Sequence, residues 1–235
     1  MKSLPLKAAL AAALLALACS TAEAPERNGA PTHQQVSFSP PGETLALSGR
    51  LFGSGSVGAI LAHQNGADQD SWLAFAQELA QQGYLVLTFD FRGYGQSPGK
   101  QSAPDAPKDL EGAVDFLRGK GVARPFLVGA SMGGSASIAV AARLDVAGFV
   151  TLSTPLEFRG LDLHPYIEQV TEPKLFMASE GDTYATDSAR YLYEHAFGES
   201  HMKVFPSSAH GTEMLTGVKG AEVKQSILDF IEKYK

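Results

Sequence analysis

A serine sits between glycines in Gly129-Ala130-Ser131-Met132-Gly133-Gly134. The apolar run Phe126-Leu127-Val128 precedes it, and a small-residue segment, Ser135 to Leu144, reads as a helix after it. This Gly-x-Ser-x-Gly spacing fits a nucleophile elbow, a turn so tight that the neighbours two positions away must be small. A serine hydroxyl is a poor nucleophile until a base takes its proton. The histidine that suits is His210, in Ala209-His210-Gly211; His33, His164, His195 and His201 fall in linker, loop or helix-end positions. An imidazole working as a base needs a carboxylate to fix its tautomer and stabilise its charged form. Asp182, after Ser179-Glu180-Gly181, is the candidate, with Glu180 as a rival.

These residues need elements to hold them. Val36 to Phe38 and Thr44 to Phe52 alternate apolar and polar and read as an antiparallel edge pair. Val57 to Ala62, Tyr84 to Phe89, Pro125 to Val128, Ala147 to Leu152, Pro173 to Ala178 and Met202 to Phe205 are short apolar runs, as expected of buried strands. Helical spacing appears over Ser71 to Gln82, Lys108 to Arg118, Ala185 to Phe197 and within Gly211 to Tyr234. Strands alternating with helices predict a mainly parallel, doubly wound α/β sheet with helices on both faces. Ligands meet such sheets at the carboxyl ends of the strands. Ser131, Asp182 and His210 each follow a different strand, so one sheet edge collects them.

Negative charge that develops on a carbonyl oxygen needs two N–H donors aimed at it. The first is the backbone N–H of Met132, next after the serine. The second comes from His63-Gln64-Asn65-Gly66, after the Val57 to Ala62 strand, with Asn65 ahead of Gln64.

From Val36 onward the chain resembles the α/β-hydrolases. The likeness rests on Ala62-His63-Gln64, Phe89-Asp90-Phe91-Arg92-Gly93-Tyr94-Gly95-Gln96-Ser97, Gly129 to Gly134, Gly181-Asp182 and Ala209-His210-Gly211. The order Ser131, Asp182, His210 is also that family's order. The family usually has glycine where Gln64 stands. The resemblance implies an eight-stranded sheet and a structural role for Asp90 and Arg92. It lies nearer the dienelactone hydrolase and small-esterase branch than the large lipases. Dienelactone hydrolases proper use cysteine where Ser131 stands, so that activity is not expected. Between Ser153 and Pro173 there is room for a short cover bearing Phe158, Leu161, Leu163, Pro165 and Tyr166, but not for a lid domain. The expected activity is hydrolysis of small carboxylic esters through an acyl-enzyme on Ser131, with no cofactor and no metal. Alternatives are a peptidase or amidase of the prolyl-oligopeptidase type and a non-enzymatic binding protein of the same fold.

Of the 235 residues, 44% are hydrophobic and 19% charged, which suits one globular domain, expected over residues 35–235. The net charge of −6, with no Lys/Arg cluster, excludes nucleic acid as a partner class. Lys2 and Lys7 followed by the apolar run Ala8 to Ala18 predict a signal peptide over residues 1–18, and hence export. Ala16-Leu17-Ala18-Cys19 resembles a bacterial lipobox, which implies membrane attachment through a lipidated Cys19 on the periplasmic face. Ordinary cleavage, leaving a periplasmic or secreted protein, is the alternative. Cys19 is the one cysteine, so no internal disulfide is expected. Residues 19–34, rich in Ala, Pro, Glu, Thr and Asn, read as a flexible tether.

Overall fold

The computed structural model describes Met1 and residues 33–235. Apart from Met1, the expected signal peptide, Cys19 and the tether through residue 32 lie outside the described residues.

The described residues form ten strands and six α-helices. The strands are β1 (His33–Phe38), β2 (Leu47–Phe52), β3 (Gly58–Ala62), β4 (Leu85–Phe89), β5 (Phe126–Ala130), β6 (Gly148–Leu152), β7 (Glu157–Phe158), β8 (Leu161–Asp162), β9 (Lys174–Ser179) and β10 (Ser200–Phe205). The helices are α1 (Leu73–Gln81), α2 (Ala106–Gly119), α3 (Met132–Ala141), α4 (His164–Ile167), α5 (Thr183–His195) and α6 (Gly220–Tyr234). Eight strands form one sheet in the order β1-β2-β4-β3-β5-β6-β9-β10. β2 pairs antiparallel with both β1 and β4, and the remaining pairs are parallel. This is the mainly parallel, doubly wound sheet expected from the sequence.

The short apolar runs become strands buried on both faces because each alternates between two cores. In β3, Ile60 enters one core while Ala59 and Leu61 enter the other. In β4, Leu85, Leu87 and Phe89 oppose Val86 in the same way. Leu110 and Val114 of α2, Ile138 and Val140 of α3 and Leu192 of α5 close the first core. Phe75 and Leu79 of α1 and Val223, Ile227 and Ile231 of α6 close the second. Every residue of α3 is buried, as expected of a helix that is small and apolar all round.

Several boundaries differ from the sequence reading by two or three residues, and two of these shifts change an assignment. β1 begins at His33, so His33 and Gln34 belong to the sheet rather than to the tether. They pair with Phe52 and Leu51, and the His33 ring lies 5.3 Å from that of Phe52. The helix after the serine starts at Met132, not Ser135. Between β6 and β9 stand only the β7–β8 hairpin and the single turn α4, so no lid domain is inserted.

Candidate active site

β5 ends at Ala130 and α3 begins at Met132, which leaves Ser131 alone to make the turn. It does so at φ 48° and ψ −114°, a conformation costly for any residue but glycine. The surroundings hold it there. The Ser131 N–H donates to the Leu152 carbonyl at 2.8 Å, extending the β5–β6 pairing one residue into the turn, and its carbonyl accepts from the Ser135 N–H at 3.0 Å. A side chain at Gly129 would overlap the backbone of Gly133 and Gly134, and one at Gly133 would overlap the Ala62 carbonyl. The glycine spacing is therefore a packing requirement: the first turn of α3 lies directly on β5 and on the end of β3. Because Met132 opens the helix, its N–H has no intrahelical acceptor.

Asp182 and His210 meet because β9 and β10 end in register, with Ser179 opposite Phe205. Beyond that point the two loops stay laced together. The Glu180 N–H donates to the Phe205 carbonyl at 2.9 Å and the Gly181 N–H to the Ser207 carbonyl at 2.8 Å. The Ser179 hydroxyl donates to the Ala209 carbonyl at 2.7 Å. The result is a 2.6 Å hydrogen bond in which His210 Nδ1–H donates to Asp182 Oδ2. The Asp182 side chain is 17% exposed and that of His210 45%, so the carboxylate is shielded while the imidazole reaches outward. The carboxylate of the rival Glu180 makes no hydrogen bond or ion pair among the described residues.

Ser131 follows β5 and His210 follows β10, with β6 and β9 between them in the sheet, and among the described residues no hydrogen bond joins the Ser131 hydroxyl to the imidazole. In unliganded sites such a bond is often long and tightens when substrate arrives. The histidine loop is held on its other side by Gln64, whose Oε1 accepts from the Thr212 N–H and the Thr212 hydroxyl, both at 2.9 Å. Thus the residue that replaces the usual glycine ties the loop after β3 to the histidine loop. Neither Gln64 nor Asn65 donates its backbone N–H to another described residue. The Asn65 side-chain oxygen accepts from the Tyr94 hydroxyl at 2.7 Å and from Arg159 Nη1 at 3.2 Å.

Sequence reasoning missed several supports of this loop. His63 is fully buried; its Nδ1–H donates to the Gln64 carbonyl at 2.8 Å and its Nε2 accepts from the Phe91 N–H at 3.1 Å. Burial pushes its pKa down, and both bonds suit the neutral ring. Its place directly after a buried strand was the available signal. Tyr94 packs edge-on against His63, and its hydroxyl lies 3.8 Å from Met132 Sδ. Thr212 and Arg159 carry no sequence signal.

Asp90 and Arg92 face away from this chemistry. Asp90 accepts from the Gln69 N–H, the Gln69 amide and the Gln96 N–H. Arg92 pairs with buried Asp109 at 2.6 Å. Glu157, Asp162 and His164 bring three ligand-type atoms within 4.8 Å of one another on the cover hairpin. They are exposed, and His164 Nδ1 already bonds Asp162 at 2.6 Å. Among the described residues no helix is long and apolar enough to cross a membrane.

The architecture coincides with that of known proteins. A family model described as alpha/beta hydrolase fold matches residues 60–162. Among solved structures, an esterase of Pyrococcus furiosus superposes with a TM-score of 0.75 at 18% identity, covering 86% of this chain and 93% of that one. A dienelactone hydrolase of Anabaena variabilis gives 0.72 at 18% identity, covering 87% and 98%. The chain has the α/β-hydrolase fold. Protein ABHD14A of Danio rerio is 26% identical over 185 residues, 74% of this chain and 64% of that protein. An uncharacterized protein of Mycobacterium tuberculosis is 28% identical over 189 residues, 70% of this chain and 66% of that protein. The chain thus spans just under two thirds of the length of these curated relatives.

Proposed function

We propose that the protein is a serine hydrolase that cleaves small carboxylic esters. Ser131 attacks the carbonyl carbon while His210 takes the hydroxyl proton at Nε2. The same proton then goes to the leaving alkoxide, which departs as an alcohol and leaves an acyl-enzyme. Water, deprotonated by His210, releases the acid. Asp182 holds the tautomer that keeps Nε2 free to act as the base. The backbone N–H of Met132 and that of Asn65, with Gln64 next in line, receive the developing oxyanion. The observation that carries this reading is the shielded 2.6 Å Asp182–His210 pair, together with a serine held at φ 48° between β5 and α3. The Pyrococcus furiosus neighbour is an esterase, which agrees with it. Ser131→Ala is expected to remove hydrolysis of a short p-nitrophenyl ester by the soluble domain; an unchanged rate overturns the assignment. Faster turnover of amides than of matched esters would favour the peptidase alternative.

The site is proposed to act outside the cytoplasm, on a domain tethered by a lipidated Cys19. The basic, then apolar, N-terminus and Ala16-Leu17-Ala18-Cys19 support this. Cys19→Ala in a bacterial host is expected to move the protein from the membrane to the soluble fraction. Retention in the membrane fraction contradicts lipid anchoring.

A further inference from the structure

We infer that the ester substrate carries a carboxylate besides the reacting group, and that Arg159 receives it; this rests on the ester-hydrolase reading above. Arg159 lies at the tip of the β7–β8 hairpin, where Arg159 and Gly160 both have positive φ, 46° and 89°. A two-residue turn of that kind favours Asn, Asp or Gly at its first position, so the turn does not explain the arginine.

Its guanidinium lies over the Phe158 ring, 5.3 Å from the centroid, but its charge has no acidic partner. Arg50, Arg92, Arg118, Arg124, Arg143 and Arg190 each have an acidic side chain within 4.0 Å. Arg159 is the one arginine among the described residues that has none. The neighbouring acids are turned elsewhere: Asp162 bonds His164, and Glu157 lies 3.8 Å from the same histidine. Of its five N–H donors, Arg159 uses one, toward Asn65 Oδ1 at 3.2 Å. A guanidinium with no acidic partner draws anions to that spot.

The spot adjoins the chemistry. Asn65 belongs to the loop that offers the second oxyanion donor, and its side-chain oxygen is shared by Arg159 and the Tyr94 hydroxyl. That hydroxyl lies 3.8 Å from the sulfur of Met132, the residue after Ser131. Beyond Tyr94 opens a cavity of about 230 Å³ with Phe158 and Tyr94 as apolar walls, Gln101 and Ser102 as polar ones, and Arg159 beside them. An aliphatic arm ending in a carboxylate matches it: the arm lies on the aromatic walls and the guanidinium meets the carboxylate through paired N–H bonds.

The test is a charged-over-neutral preference in kcat/KM. For a carboxylate on the acyl side, the mono-p-nitrophenyl ester of adipic acid is compared with p-nitrophenyl hexanoate. For one on the alcohol side, the butyrate ester of 4-hydroxybenzoate is compared with phenyl butyrate. The wild-type enzyme is expected to prefer the charged member of one pair. That preference is expected to fall at least about tenfold in Arg159→Gln and to survive in Arg159→Lys more than in Arg159→Glu. It is also expected to weaken as salt is raised. Turnover of the neutral esters with no preference in either pair, or a preference that Arg159→Gln leaves intact, overturns the inference while leaving the hydrolase reading in place. No turnover of any of the four esters overturns that reading, and this inference with it.

Discussion

Ser131→Ala and His210→Ala are each expected to lower kcat on a short-chain ester by about 10⁶-fold, and the double variant to lose no more than either single one. The equality matters more than the size. Serine attack and proton removal are one event, so taking away either partner leaves the same residue of catalysis, supplied by binding and the oxyanion donors. Asp182→Asn should cost less, on the order of 10⁴-fold, because it disturbs the tautomer and charge of His210 without removing the base. The hydrogen bond it alters is the 2.6 Å contact with Nδ1. Steady-state kinetics on the three single variants and the double one check this. Losses that multiply in the double variant would mean that Ser131 and His210 act in separate steps, and the proposed mechanism would fail.

The second large effect is on stability. Gly129→Ala is expected to cost at least about 3 kcal/mol, which for a domain of this size lowers Tm by about 6–12 °C. The added methyl would overlap the backbone of Gly133 and Gly134, and a backbone cannot swing away as a side-chain tip can. Shifting the first turn of α3 gives no relief, since Gly133 is already against the Ala62 carbonyl. Gly119→Ala supplies the contrast: a methyl there, at the exposed C-terminal end of α2, meets nothing within 4 Å. Thermal unfolding of the two variants measures the difference. Equal midpoints would show that the elbow's glycines are not there for packing.

The parts of the site legible in the sequence were those fixed by where strands end. Ser131, Asp182 and His210 each follow an apolar run, and a parallel sheet delivers such positions to one edge whatever the loops do. What local pattern misses is contact made across the chain. By local propensity α3 starts at Ser135, since Gly133 and Gly134 are poor helix formers; burial against β3 and β5 starts the helix at Met132 instead. His33 and Gln34 look like tether by composition, yet an edge strand asks chiefly for backbone pairing, and both residues find it in β2. The Gln64–Thr212 bond spans 148 positions, and the hairpin that carries Arg159 has strands of two residues each, too short for any periodicity to register.

The central claim is that Ser131 is a nucleophile made reactive by its surroundings, and covalent labelling addresses it most directly. The soluble domain is incubated with a fluorophosphonate probe and the adduct is located by mass spectrometry. The account predicts a single adduct, on Ser131, that is absent from Ser131→Ala and strongly slowed in His210→Ala. An unlabelled wild-type protein, or a probe carried on a different serine and retained in Ser131→Ala, would contradict it.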